Sequence, residues 1–324
     1  MFRDVTTADI FNAAQRIGEV VNHTPLRRSL ALELAAGTEA DVYLKLENEQ
    51  VTGSFKLRGA MNTLATLTDA ERERGVVASS AGNHGLGVAF AARHHGVQAT
   101  IFVPSSAPMV KKEGIAKLCA KVDDTAPDYD AAMVLAKQHA EQHGTRFINP
   151  CIGDALIAGQ GTVALEILED LPEVASVVVP VGGGGLLGGT GIMLRNSAPD
   201  VRVAGAQSEE TAAMSRALEA GELVTIEITP TLADGLAGQI DEEALEIGRF
   251  SLDDMVTVSE AEIAKAIAWL RRNEGVTAEG AGAVGVAALL SGKLKDLPSP
   301  IVVVVSGGNV DASRLSAVLE AVPE

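Results

Sequence analysis

The 324-residue sequence is poor in aromatic side chains, which make up 3% of it, and has only two cysteines. Cys119 and Cys151 are far apart and belong to no CxxC or Cys/His cluster, which argues against a structural zinc site. The sequence leaves a disulfide between them open, but both are interpreted as buried free thiols. Cations are also scarce: 26 Lys and Arg stand against 43 Asp and Glu, a net charge of −17. This balance argues against nucleic acid or an anionic membrane as a partner.

Long apolar runs are missing as well. No stretch of the sequence approaches the roughly 18 consecutive apolar residues of a membrane-spanning helix. Residues 1–20 form a mixed polar stretch with helical spacing and without the apolar segment of a signal peptide. We therefore expect a cytoplasmic protein.

The hydrophobic content of 47% is enough for a large buried core, and Ala, Val, Gly and Leu supply most of it. Short apolar runs predict buried strands, and segments with helical spacing alternate with them. The predicted strands are 41–47, 76–79, 99–103, 177–181, 201–206 and 301–305. Such alternation is typical of α/β folds with mostly parallel sheets.

Helices are predicted between these strands from the periodicity of apolar residues and from capping residues. Thr7 is the predicted N-cap of the first helix, and a glycine turn at Gly159 is expected to open the helix 159–171. The predicted helices are 5–20, 55–67, 86–95, 109–118, 128–143, 159–171, 260–273 and 281–290. The shorter strand–helix units between about Leu64 and Asn149 are expected to form a lobe of their own.

The segment PVGGGGLLGG, residues 180–189, directly follows a predicted buried strand. Four consecutive glycines let backbone N–H groups converge on an anion, and the positive end of the following helix adds to the attraction. The pattern is neither GxGxxG nor GxxxxGK[ST], so a phosphate is a better ligand than a dinucleotide or nucleoside triphosphate. The alternative is a glycine turn required only for close helix–strand packing.

A second segment, TGSFKLRGA at residues 52–60, places Lys56 at the start of a predicted helix. The positive end of the helix opposes the lysine charge, and burial there would favour the neutral amine that forms imines. Taken alone, the segment is equally typical of a surface lysine on a loop. Arg58 is interpreted as a structural ion-pair residue rather than a catalytic one.

Two further turns follow predicted strands. SSAGNHG, residues 79–85, could hold a carboxylate with its backbone N–H groups, and Asn83 could donate to a cofactor oxygen. His84 is a candidate general base, although a histidine at a helix start is more often structural. SGGN, residues 306–309, lies at the carboxyl end of a strand, where α/β folds bind ligands, and could also be an ordinary turn. Together the four segments match pyridoxal 5′-phosphate (PLP), with groups for its phosphate, its imine carbon, its ring oxygen and its ring nitrogen.

These residues resemble the threonine dehydratase and serine racemase family, which are fold-type-II PLP enzymes. The resemblance covers nearly the whole chain. It includes, in order, HTPL at 23–26, KLEN at 45–48, TGSFKLRGA at 52–60, SSAGNHG at 79–85, IAGQGT at 157–162, VGGGG at 181–185, ADG at 233–235 and SGGN at 306–309. It implies two lobes, each an open and mostly parallel sheet flanked by helices. The large PLP-binding domain would comprise residues 1–63 and 150–324, and the small mobile domain residues 64–149.

The resemblance also implies roles for single residues. Lys56 would be the catalytic residue, as Schiff-base lysine and proton-transfer base, with Phe55 against the cofactor ring and Asn83 bound to its 3′ oxygen. Ser306 would meet the pyridine nitrogen. The phosphate would bind Gly182, Gly183, Gly184, Gly185 and the amide of Leu186. The substrate carboxylate site would be lined by Ser80, Ala81, Gly82 and His84.

Three departures from the family pattern narrow the expected activity. Ala81 replaces the serine by which serine racemases protonate the second face of the substrate, so efficient racemisation is not expected. The positions of the family's metal ligands read Gln207, Thr211 and Ala213, without either expected carboxylate, so no metal site is expected. Glu209 and Glu210 could replace those ligands only with a shifted loop. Leu86 and Cys151 make the edge of the pocket less polar than in many relatives.

The expected activity is therefore that of an ammonia-lyase, or dehydratase, which converts a threonine-like or serine-like 3-hydroxy amino acid to a 2-oxo acid and ammonia. Alternatives are a specialised substrate (3-hydroxyaspartate, phenylserine or a hydroxyectoine-pathway intermediate), a PLP-dependent β-replacement synthase, and a non-catalytic PLP-binding protein. By analogy with the family, we expect a homodimer.

Overall fold

A computed structural model of the chain describes residues 4–294 and 296–323. Its strands are β1 Leu26–Arg28, β2 Val42–Leu46, β3 Val76–Ser79, β4 Ala99–Pro104, β5 Lys121–Ala126, β6 Arg146–Phe147, β7 Ser176–Pro180, β8 Arg202–Ser208, β9 Asp254–Val258 and β10 Ile301–Val305. Within the described residues they form a six-stranded sheet of order β1-β2-β10-β7-β8-β9 and a four-stranded sheet of order β5-β4-β3-β6. All pairings are parallel except that of β1 with β2.

Helices cover both faces of each sheet. They are α1 Thr7–Ile17, α2 Leu30–Ala36, α3 Lys56–Ala65, α4 Asp69–Arg74, α5 Asn83–His95, α6 Met109–Ala116, α7 Tyr129–His143, α8 Asp154–Asp170, α9 Gly185–Ser197, α10 Ala213–Ala220, α11 Glu242–Ser251, α12 Glu260–Trp269, α13 Gly280–Leu290 and α14 Ala312–Ala321. In the large sheet, Val302 and Val304 of β10 pack with α8 and α9, whereas Val303 and Val305 pack with α12 and α13. A strand buried on both faces explains why its sequence is apolar throughout.

The predicted α/β class with two mostly parallel, helix-flanked sheets is confirmed. The strands predicted at 76–79 and 301–305 have the observed bounds. No helix in the described part of the chain is both long enough and apolar enough to cross a bilayer.

Several details of the prediction are wrong. The first helix is capped by Thr6 rather than Thr7, because the Thr6 hydroxyl accepts from the Asp9 amide while the Asp9 carboxylate accepts from the Thr6 amide. Helix α5 begins at Asn83, three residues before its predicted start at Leu86. Gly159 opens no turn but lies inside α8, where an added Cβ would lie 2.6 Å from the Arg58 carbonyl oxygen. Its role is therefore close packing of α8 against α3.

The two cysteines differ in exposure. Cys119 is exposed, at φ +64°, so its interpretation as a buried thiol is wrong. Cys151 is partly buried.

Candidate active site

The turns that follow β3, β7 and β10 line a single cleft with a volume of about 1290 Å³. Every cofactor or substrate residue predicted from the sequence contributes to its lining: Phe55, Lys56, Ser80, Ala81, Gly82, Asn83, His84, Gly182, Gly183, Gly184, Gly185, Leu186 and Ser306. The carboxyl ends of parallel strands are the usual ligand-binding edge of α/β sheets. The fold thus brings the four sequence segments together.

The glycine loop, residues 182–185, joins β7 to α9. Gly184 is the N-cap of α9 with φ +88°, and no side chain caps this end of the helix. An added Cβ would lie 3.1 Å from the Leu236 Cα at Gly182 and 2.9 Å from the Cys151 carbonyl oxygen at Gly185. Uncapped N–H groups at a helix N-terminus, approached by a backbone without side chains, form an anion-binding site.

Lys56 is the first residue of α3, and its Nζ donates a hydrogen bond of 2.7 Å to the Pro150 carbonyl. The same Nζ lies 5.2 Å from the centroid of the Phe55 ring. Cys151, the residue after Pro150, packs closely on the glycine loop. A Cβ added at Gly183 would lie only 2.5 Å from the Cys151 Sγ. A primary amine and an anion-binding loop are therefore joined through one short turn.

Ser306 lies beside the Lys56 segment. Its carbonyl accepts from the Phe55 amide at 3.1 Å, and the Gly308 amide donates to the Gly53 carbonyl at 2.9 Å. The Ser306 hydroxyl has a contact of 3.5 Å with the Ala281 carbonyl, at the long limit for a hydrogen bond. This hydroxyl retains the capacity to bind a polar group in the cleft.

The start of α5 forms a second uncapped helix end in the cleft. Its N-cap is Gly82, whose amide donates to the Ser80 hydroxyl at 3.1 Å. The Nε2 of His84 lies 2.9 Å from the Ile148 carbonyl, which can only accept, so Nε2 carries the hydrogen. Burial, together with the nearby charge of Lys56, lowers the pKa of His84 to about 3. His84 is therefore neutral at physiological pH.

Arg58 points away from the cleft into an ionic group that we call the Arg58 cluster, formed by Lys45, Glu47, Arg58 and Glu166. The Arg58 guanidinium donates to Glu47 at 2.8 Å and to Glu166 at 2.6 Å, and the Lys45 Nζ donates to Glu166 at 2.6 Å. All four residues are buried. The predicted structural ion pair is confirmed, and it fastens the start of α3 to β2 and α8.

The positions that the resemblance assigns to metal ligands hold Gln207, Thr211 and Ala213, all of them buried. Glu209 instead binds the Lys293 Nζ at 3.2 Å, and the Glu210 carboxylate accepts from the Thr229 hydroxyl. In the described ranges, no group of three or more His, Cys, Asp or Glu side chains is placed to hold a metal ion.

Sequence reasoning missed a polar array at the floor of the cleft. The Glu279 Oε1 accepts from the Asn83 Nδ2 at 2.6 Å, and the Asn309 Nδ2 donates to the Asn83 Oδ1 at 2.7 Å. Glu279 is 9% exposed and immediately precedes α13. The available signal was an acidic residue in N-cap position before the apolar helix predicted at 281–290.

Comparison with known proteins decides the family. The family described as pyridoxal-phosphate dependent enzyme matches residues 17–307. The chain belongs to the pyridoxal-phosphate-dependent enzymes. This enzyme is 44% identical to the L-threonine ammonia-lyase of Thermotoga maritima over 316 residues, which are 97% of this chain and 78% of that protein.

Two further relatives are a dehydratase and a racemase. The catabolic L-threonine dehydratase TdcB of Staphylococcus aureus is 38% identical over 320 residues, 98% of this chain and 92% of that protein. Maize serine racemase superposes with a TM-score of 0.92 at 31% identity and with 98% of each chain covered. The expected resemblance to the threonine dehydratase and serine racemase family is confirmed.

Proposed function

We propose that this enzyme is an ammonia-lyase that dehydrates a small 3-hydroxy amino acid of the threonine or serine type to a 2-oxo acid and ammonia. The observation that carries the proposal is the position of the Lys56 amine. It lies 2.7 Å from the Pro150 carbonyl oxygen, and the residue that follows Pro150 packs on the glycine loop. A cofactor with an aldehyde and a phosphate requires this pairing of an amine with an anion site. The activities for which the Thermotoga and Staphylococcus relatives are named support the assignment.

The residues of the cleft fit pyridoxal phosphate. The uncapped α9 end, with the glycine loop and the Leu186 amide, would hold the phosphate, and Asn83 would hold the 3′ oxygen. The Ser306 hydroxyl would meet the pyridine nitrogen, and Phe55 would pack against the ring. A neutral hydroxyl leaves that nitrogen unprotonated, which favours elimination. When bound, the cofactor supplies the electron withdrawal that makes the α-hydrogen of the substrate acidic.

The protein's own groups bind the substrate and move its proton. The uncapped start of α5, with Ser80, Ala81, Gly82 and His84, would receive the substrate carboxylate, because first-turn N–H groups attract anions. This contact orients the α-hydrogen toward Lys56, whose amine would accept the proton. Ala81 has no proton to deliver from the opposite side. We therefore propose elimination, and not racemisation, as the main activity.

The edge of the cleft bears on the choice of substrate. Leu86 and Cys151 both line it and are both partly buried. These side chains would contact a methyl group favourably and offer no positive charge of their own to a second carboxylate. Threonine is therefore the preferred candidate, ahead of 3-hydroxyaspartate, and phenylserine is the specialised alternative that the apolar edge favours.

We further propose that residues 64–149 form a small mobile domain and that residues 1–63 with 150–324 form the cofactor domain. All four strands of the small sheet lie between Val76 and Phe147, which supports this division. Closure of the small domain over the cleft would exclude water during elimination. The homodimer and the cytoplasmic location stay predictions.

The test is an assay of 2-oxo acid and ammonia release from L- and D-threonine, serine, 3-hydroxyaspartate and phenylserine, with the absorption spectrum of the bound cofactor recorded. Lys56→Ala should lower turnover of the best substrate by about 10³-fold or more, because it removes both the amine and the base. Lys265→Ala, at an exposed position of α12, is the matched control and should retain activity. If the wild type binds the cofactor through Lys56 but eliminates none of these substrates, the lyase proposal fails. An added nucleophile would then test for β-replacement.

A further inference from the structure

Glu279 carries a carboxylate in the cleft that the proposed chemistry leaves without a role. Its Oε1 accepts from the Asn83 Nδ2 at 2.6 Å. Among the described residues, no basic side chain forms an ion pair with it, although it is 9% exposed. A carboxylate that is buried without a cation is costly, so its placement calls for a reason other than stability.

The hydrogen bonds around Asn83 fix the orientation of its amide. The Asn309 Nδ2 donates both to the Thr52 carbonyl at 2.8 Å and to the Asn83 side chain at 2.7 Å. A carbonyl only accepts, so the Asn309 nitrogen is the donor and the Asn83 atom that faces it is the oxygen. The Asn83 NH₂ group therefore faces Glu279, which takes one of its two hydrogens. The second hydrogen remains for a group in the cleft.

Two glycines flank this array, and a side chain at either position would collide with it. An added Cβ at Gly307 would lie 2.6 Å from the Glu279 Oε1 and 3.1 Å from the Asn83 Nδ2. At Gly53, where φ is +75°, an added Cβ would overlap the Asn309 Oδ1. Glycines of the TGSF and SGGN segments thus adjoin the two ends of the array.

We propose that Glu279 is a positioning residue that acts through Asn83: as a carboxylate it polarises the Asn83 amide and directs its second hydrogen toward the 3′ oxygen of the cofactor. This inference rests on the role given to Asn83 in the proposed function. A hydrogen bond to an ionised acceptor is stronger than one to a neutral acceptor, so loss of the charge weakens the array without dismantling it.

The groups around Glu279 place its ionisation near neutral pH. Burial, together with the like charge of Asp234, raises the pKa of Glu279 to about 7. The Asn83 hydrogen bond and the charges of Lys111 and Lys56 oppose this rise. Asp234 is itself paired with Arg314 at 2.9 Å. Protonation of Glu279 on the acid side of neutrality should therefore reduce turnover.

The first test is a double-mutant cycle of Asn83→Ala and Glu279→Gln in the holoenzyme. Glu279→Gln should lower kcat by about tenfold and change KM by less than about threefold, because a charge-assisted contact is lost away from the substrate. In the Asn83→Ala background the same change should have no further effect on kcat, on the dissociation constant of PLP or on its absorption band. Additive effects would mean that Glu279 acts independently of Asn83 and would overturn the proposal.

The PLP dissociation constant and absorption band do not depend on turnover. They decide the cycle even if none of the tested substrates reacts and the proposed lyase activity fails.

The second test keeps Glu279 in place and moves its pKa. Asp234→Asn removes a like charge and should shift the acid limb of the kcat profile to lower pH, whereas Lys111→Gln should shift it to higher pH. Glu279→Gln should abolish the limb. Shifts in the same direction, or a limb that persists in Glu279→Gln, would show that another group titrates. The two charge variants decide the question even if Glu279→Gln fails to fold.

Discussion

Two of the enzyme's buried carboxylates, Glu166 and Glu279, differ in whether a cation pairs with them. Burial alone would raise the pKa of Glu166, but the hydrogen bonds and charge of Arg58, together with Lys45, hold it below its usual value. Glu279 is buried as well, yet its hydrogen-bond partner is the neutral amide of Asn83, and burial raises its pKa to about 7. Glu166 belongs to the framework, whereas Glu279 is able to change its charge near neutral pH.

The comparison shows how one cleft combines rigidity with a titratable group. The Arg58 cluster lies directly behind the first turn of α3 and holds the Lys56 backbone in place. The Glu279 array lies on the cleft side of the same segment, where it meets the side chain of Asn83. Paired charges therefore lie behind the lysine that we propose as catalytic, and an unpaired carboxylate lines the cleft in front of it.

The largest effect on stability is expected when the ion pairs of the Arg58 cluster are broken. Arg58→Met keeps a long side chain but leaves Glu47 and Glu166 buried without their cation, so the free energy of unfolding should fall by about 3–5 kcal/mol. Urea denaturation of the cofactor-free, full-length protein at neutral pH measures it. Arg249→Met, which breaks the exposed pair with Glu246, is the control and should cost at most about 0.5 kcal/mol. A loss below about 1 kcal/mol for Arg58→Met would contradict the assigned framework role.

Removal of the unpaired Glu279 charge should instead increase the free energy of unfolding. The folded-state pKa of Glu279, about 7, lies above its value of 4.5 in the unfolded chain, so wild-type stability falls as pH rises between these values. Glu279→Gln lacks this penalty. Relative to wild type, the variant should gain up to about 3 kcal/mol in free energy of unfolding above about pH 7, and little below about pH 4.5. Denaturation of the cofactor-free protein across this range measures the gain, and a gain independent of pH would rule out Glu279 as its source.

Glu166→Gln should show the reverse dependence on pH. The pKa of Glu166 is lowered by folding from 4.5, so its contribution is complete at neutral pH and is lost as pH falls through the lowered folded-state value. The variant should cost about 2 kcal/mol near pH 7, and this cost should shrink as the pH is lowered below about 4.5. The same denaturation series, run beside Glu279→Gln, provides the comparison. A cost that grows with acid would contradict the lowered pKa.

Those parts of the fold that depend on local apolar pattern could be predicted from the sequence. The runs at 76–79 and 301–305 are buried on both faces, so their bounds coincide with the change from apolar to small or polar residues. Strand β5, with the sequence KVDDTA, was missed because it lies at the edge of the small sheet, where charged side chains reach solvent. The sequence pattern wrongly predicts a turn at Gly159, because α3, the helix whose close packing requires a glycine there, is distant in sequence.

The residues of the site also differ in how strongly the local sequence marks them. Lys56, the glycine loop and Ser306 follow strands or open helices, so each has a local signature, and the structure brings them into one cleft. Glu279 has only a weak one, its place before an apolar helix, because its properties come from Asn83, Asp234 and Lys111, which are remote in sequence and meet only in the folded chain. A raised carboxyl pKa is a property of such an assembly and not of a motif.

The smallest effect, and the sharpest check of the framework assignment, is expected at Thr24. This buried hydroxyl donates to the Glu47 Oε1 at 2.5 Å, while Glu47 also retains two hydrogen bonds of 2.8 Å from Arg58. Thr24→Val removes this donor, together with a long contact of 3.4 Å in which the hydroxyl accepts from Arg58, and leaves the ion pair intact, so we expect a loss of about 1 kcal/mol in the free energy of unfolding. Thr66→Val, at an exposed position, is the control and should change it by less than about 0.5 kcal/mol.

Because Thr24 supports a paired charge behind the cleft, its loss should also leave the pH profile of kcat unchanged, in contrast to Glu279→Gln. If Thr24→Val shifted the acid limb as well, the two carboxylate systems would be coupled through α3. The separation of framework from titrating group would then fail.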